Sequence, residues 1–80
     1  MTYQGHRNWN HWNVSLWLFN EEYLYNNLRA YVEGTSTLDS AAAHMLYHIE
    51  RAANGGPATT PDGAPYTFTS IRAAIAGWEA

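Results

Sequence analysis

An all-α fold, a small single-domain bundle of about four helices, is what this sequence predicts. Three observations carry that reading. Apolar residues recur at steps of three and four through most of the chain, the spacing that lines one side of a helix. Capping residues precede these segments, and Gly or short polar stretches follow them. The residues that interrupt regular structure are gathered in one place, since all three prolines and three of the six glycines lie in 54–66. The 80 residues are 46% hydrophobic, with four Trp, six Tyr and two Phe, enough for one compact domain over 1–80 to hold a core. A chain this short buries a smaller share of its surface than a large one, and the aromatics compensate.

Residues 1–7 form a polar lead that includes Tyr3. The first helix is expected over 9–19, where Trp9, Trp12, Leu16 and Phe19 fall at helical steps and Val14, Trp17 and Leu18 widen the stripe. Asn8 or Asn10 caps it by accepting a bond from a free N–H of the first turn. A buried strand is the alternative, because Trp12, Val14, Leu16 and Leu18 also alternate, and aromatic and β-branched residues suit strands.

The second helix follows Asn20, its expected cap, with Glu21 and Glu22 at the positive end of the helix dipole. Leu24, Leu28 and Tyr31 share one face, with Tyr25 and Val32 beside it. Gly34 is the expected stop, because glycine reaches positive φ without strain. Thr35-Ser36-Thr37 connects to a third helix from Leu38 to about Ala53, capped by Ser36 or Thr37, with Asp39 in its first turn. Leu38, Ala42, Met45, Leu46 and Ile49 form its inner stripe, and Asn54-Gly55-Gly56-Pro57 ends it.

Residues 54–66 read as a Gly/Pro-rich loop, long for so small a domain, and long loops are often functional or mobile. Within it Pro61-Asp62-Gly63 is a turn in which Pro sets φ and Gly supplies the positive φ. A fourth helix is expected from Ser70 to near Trp78, capped by Thr69, with Ile71, Ala74, Ile75 and Trp78 on its apolar side.

Composition excludes several classes. Without cysteine there is no Cys-based zinc site or redox motif. No apolar run approaches the ~18 residues of a membrane span, and no signal peptide opens the chain, so a cytoplasmic protein is expected. The net charge is −3, and the four basic residues, Arg7, Arg29, Arg51 and Arg72, are scattered. Phosphate recognition needs clustered Lys and Arg, so no direct nucleic-acid binding is expected.

The chemical constellations are weak. His44 and His48 have the i, i+4 spacing of metal ligands, yet Met-Leu-Tyr lies between them and HExxH is absent. A third ligand would have to come from His6, His11 or a distant carboxylate. They read as surface or half-buried histidines, with no metal and no cofactor. Ser15, Ser40 and His44 are nucleophile or base candidates only by residue type, and a Ser hydroxyl inside a helix more often bonds its own backbone. Gly55-Gly56 reads as a helix stop. No enzymatic activity is expected.

The aromatic content points elsewhere. Seven aromatics lie between Trp9 and Tyr31. Most belong to the core, but Tyr23 and Tyr25 point to different sides of their helix, which leaves at least one exposed. Aromatic residues anchor protein interfaces. Glu21, Glu22, Tyr23, Tyr25 and Glu33 are therefore the expected partner-binding residues. A plain solvated face is the alternative.

The block Trp12-Asn13-Val14-Ser15-Leu16-Trp17-Leu18, then Asn20-Glu21-Glu22 and Leu24-Tyr25, resembles a family of small phage, prophage and plasmid proteins. Those carry W-N-V-x-L-W-[IL], a short acidic or Asn-containing link and a Leu-Tyr pair. The resemblance covers roughly residues 8–33 and carries no catalytic residue. A small, acidic, cysteine-free, aromatic-rich chain also resembles phage anti-CRISPR proteins. That implies a monomeric inhibitor in the host cytoplasm that binds the Cascade surveillance complex of a type I system, type I-C in particular, and occludes target DNA. Its acidic and aromatic side chains would dock on a Lys/Arg-lined DNA path. A small antirestriction or regulatory protein that binds another host protein is the alternative. A helical DNA-binding regulator is disfavoured, since Arg51 alone is basic on the helix at 38–53.

Overall fold

Four helices build the protein: α1 (Trp9–Asn20), α2 (Glu22–Gly34), α3 (Leu38–Ala52) and α4 (Phe68–Glu79). The structure, a computed structural model, describes residues 8–79 and the side chains of 8–77. The polar lead at 1–7, His6 as a ligand candidate and the side chain of Trp78 lie outside the described residues. Among the described residues there is no strand, only an isolated bridge between Thr59 and Pro65. The all-α expectation holds, and the helix expected over 9–19 forms in place of the strand alternative. No helix among the described residues is long and apolar enough to cross a membrane.

Each helix packs on the next, and α4 closes the ring by packing on α1. The core is Val14 and Leu18 of α1, Leu28 of α2, Ala41, Ala42, Met45 and Ile49 of α3, and Ile71, Ala74 and Ile75 of α4. Ala64 and Tyr66 complete it from the loop. Burying each larger aliphatic side chain contributes about 1.5–3 kcal/mol. The alanines of α3 keep its neighbours close.

Helix α1 is turned differently from the expectation. Its buried side is Val14, Leu18 and Ser15, whereas Trp12, Leu16 and Phe19 are half-buried and Trp9 is exposed. The segment is apolar on nearly every side, so its own pattern does not choose the inward face.

Three helix ends also differ. Asn8 caps α1 as expected, its Oδ1 accepting from the His11 N–H at 2.9 Å. Asn20, expected to cap α2, instead ends α1, and extended Glu21 alone forms the corner. The Glu21 N–H donates to Trp17 O at 3.0 Å, and its carbonyl accepts from Tyr25 N at 2.8 Å, so one residue closes both helices. Gly34 is the last residue of α2 and does not take positive φ. The exit is extended at Thr35, whose N–H and hydroxyl both donate to Tyr31 O. Helix α4 starts at Phe68, two residues before the expected Ser70, because Thr67 and not Thr69 caps it. The Ser70 N–H donates to Thr67 Oγ1 and the Thr67 N–H to Ser70 Oγ, each at 3.0 Å. That is a reciprocal capping box with serine in the place usually held by Glu. Helix α3 behaves as expected, with Thr37 Oγ1 accepting from Ser40 N at 3.0 Å. Asn54 and Gly55, both at positive φ, follow it.

The loop is ordered on itself. Thr60 N donates to Ala64 O at 2.8 Å around the Pro61-Asp62-Gly63 turn, where Gly63 has φ +98 as its place in the turn requires.

Candidate protein-interaction face

The seam between α2 and α3 brings together exposed and half-buried tyrosine and histidine rings. Tyr23, Asn27 and Tyr31 are four residues apart along α2, so they share one side. His44 and His48 do the same on α3, as do Tyr47 and Arg51. The Tyr23 hydroxyl and His48 Nε2 share a hydrogen bond of 2.8 Å. Tyr31 stacks on His44 with ring centroids 5.7 Å apart and 13° between planes, and meets the edge of His48 at 6.2 Å. As α2 runs from 23 to 31 its partners run from 48 back to 44, which makes the two helices antiparallel.

The remaining bonds fix these rings from behind. His44 Nδ1 lies 2.8 Å from the carbonyl oxygen of Ser40. A carbonyl only accepts, so in the neutral ring Nδ1 carries the hydrogen and Nε2 is the acceptor. The contact is with the Ser40 carbonyl rather than its hydroxyl, so no nucleophile–base pair forms there. Asn27 Nδ2 donates to Tyr23 O at 2.7 Å. Arg51 Nη1 donates to the Tyr47 hydroxyl at 3.0 Å, with its guanidinium carbon 5.6 Å from the ring centroid. Tyr23 is 55% exposed and Tyr47 60%, so solvent or a partner reaches them. Among the described residues no group of three or more His, Asp or Glu could hold a metal ion.

The five residues expected to bind a partner do not converge. Glu21 sits at the α1–α2 corner and Glu22 in the first turn of α2, both exposed. Glu33 lies about 16 Å farther along the same helix. Its carboxylate is taken by Arg29 Nε at 3.2 Å. Tyr23 faces α3. Tyr25 is half-buried on the opposite flank, edge-on to Phe19 at 6.3 Å. Glu21 also acts inward, since its charge adds to the burial that raises the Tyr66 hydroxyl pKa.

The sequence pattern put Tyr31 on one face with Leu24 and Leu28, read His44 and His48 as surface or half-buried histidines, and gave Tyr47 no role. The available signal was the repeated i, i+4 spacing of Tyr, His and Arg on two successive helices.

A second polar cluster ties the loop to α1. The Asp62 carboxylate accepts from Asn13 Nδ2 at 2.8 Å and from Trp17 Nε1 at 2.9 Å. Those two bonds hold its pKa below the ordinary carboxylate value. The Thr60 hydroxyl donates to Asn13 Oδ1 and accepts from Ala64 N at 3.1 Å. Asn13 and Thr60 are buried, and each polar atom is satisfied. Asn13 and Trp17 belong to the W-N-V-x-L-W block, and their role in this fold is to seat the loop.

A model of DUF7249, a family of unknown function, matches residues 1–77. No curated protein and no solved structure matches the chain.

Proposed function

We propose that this chain, which belongs to the DUF7249 family, works by binding another protein and performs no chemistry of its own. In its specific form it is a phage-encoded inhibitor, a monomer in the host cytoplasm, that docks on a type I Cascade complex and covers the path of target DNA. One observation supports the docking reading most directly. At the start of α2, Glu21 and Glu22 are exposed with no arginine partner among the described residues, and 55% exposed Tyr23 lies beside them. Negative charge next to an exposed aromatic suits a basic surface, where complementary potential speeds association. The Cascade target comes from the resemblance of residues 8–33 and the composition alone.

The test is a tagged pull-down against purified type I-C Cascade, with target-DNA binding measured in parallel. The expected result is co-purification with loss of DNA binding. Reversing both charges (Glu21→Arg with Glu22→Arg) should weaken the complex about tenfold or more. Glu33→Arg should do less, because Glu33 is already neutralised by Arg29. An absence of association sinks the Cascade target.

A further inference from the structure

We propose that the α2–α3 seam is a second docking face, meeting the first at Tyr23, for an acidic segment of a partner protein. The inference rests on the protein-binding reading above, but not on the Cascade target or on the acidic residues of α2.

The charge arrangement points to the occupant. The described residues include three arginines. Arg29 ends on Glu33, and Arg72 ends on Asp39 at 2.7 Å. Arg51 instead ends on the Tyr47 hydroxyl and ring and is exposed. Among the described residues no carboxylate pairs with Arg51, His44 or His48. On a chain of net charge −3 this makes Arg51 a cation that an acidic group of a partner can take.

His44, His48 and Arg51 lie at steps of four and three, one column on α3. An acidic occupant seated on Arg51 therefore runs along both imidazoles. From α2 the groups facing these imidazoles are the neutral Tyr23 and Tyr31. On α3's other flank, against α4, lies the Asp39–Arg72 pair, already closed on itself. Glu50, two positions from His48, lies on the opposite side of α3.

The face is also prepared for contact. Tyr23 is held by His48, Tyr31 by His44, and Tyr47 by Arg51. Side chains already fixed lose less entropy when a partner arrives. Tyrosine and arginine are also among the residues that dominate interface energetics.

The probe is a synthetic peptide alternating Glu and Leu, with its Lys-Leu counterpart, titrated into the whole protein at low salt and followed by NMR. The expected result is that the Glu-Leu peptide shifts resonances of Tyr23, His44, Tyr47, His48 and Arg51. Arg51→Glu should abolish binding, and His44→Gln with His48→Gln should weaken it by releasing Tyr23 and Tyr31. Glu21→Arg with Glu22→Arg should not weaken peptide binding, so failure here is distinct from failure against Cascade. The proposal is overturned if the Lys-Leu peptide takes the seam instead, if the Glu-Leu peptide leaves these resonances unmoved, or if Arg51→Glu leaves binding intact.

Discussion

Asp62 shows how one exposed carboxylate can organise a buried region. It accepts from Asn13 and Trp17 across 49 and 45 residues of chain, and so holds the Gly/Pro-rich loop against α1. Because these bonds favour the charged form, the folded protein binds the Asp62 proton less readily than the unfolded chain does. The stabilisation is therefore complete above the ordinary value of 3.8 and is lost as pH falls through the lower folded value. Thermal unfolding of wild type and Asp62→Ala should show a gap at neutral pH that closes in acid. A gap independent of pH would mean the carboxylate's charge is not what seats the loop. The same cluster explains why Asn13 is tolerated at 1% exposure, since both ends of its amide are bonded.

At the scale of the element, local capping decided where helices begin. The preference of Thr and Ser for the N-cap made the start of α3 at Leu38 readable, with Ser36 or Thr37 as the expected cap and Thr37 the one that bonds. It made α4 readable only to within two residues, because the expected cap Thr69 and the actual cap Thr67 are threonines two positions apart. The reciprocal Thr67–Ser70 bonds select Thr67. Thr67→Ala should destabilise the protein by about 1 kcal/mol in urea unfolding, and Thr69→Ala by much less. Equal effects would mean the box does not set the start of α4. Gly34 was misread for a related reason. A helix can also stop by turning extended, and Thr35 does this with two donors on one carbonyl.

At the scale of the whole molecule, stability rests on a ring of four helices closed by α1 against α4. Leu28 is the one residue of α2 that is fully buried in the core. Leu28→Ala should cost about 2–5 kcal/mol, a large part of the 5–15 kcal/mol that holds a small domain folded. Denaturant unfolding measures it, and a loss below about 1 kcal/mol would mean that α2 contributes little to the core.

The number and placement of the helices, the loop at 54–66 and its Gly63 turn are written in the sequence. Helical periodicity, caps and breakers act over three or four residues and need no knowledge of the rest of the chain. The inward side of α1 is not written there. A segment with Trp9, Trp12, Val14, Leu16, Trp17, Leu18 and Phe19 offers an apolar residue in almost every direction, and only the position of α2, α4 and the loop chose Val14 and Leu18. Likewise, a tyrosine at 23 becomes a partner for His48, and one at 31 for His44, only once α2 and α3 lie antiparallel. Those contacts join residues 25 and 13 positions apart, and their geometry follows from helix packing, a property of the assembled bundle.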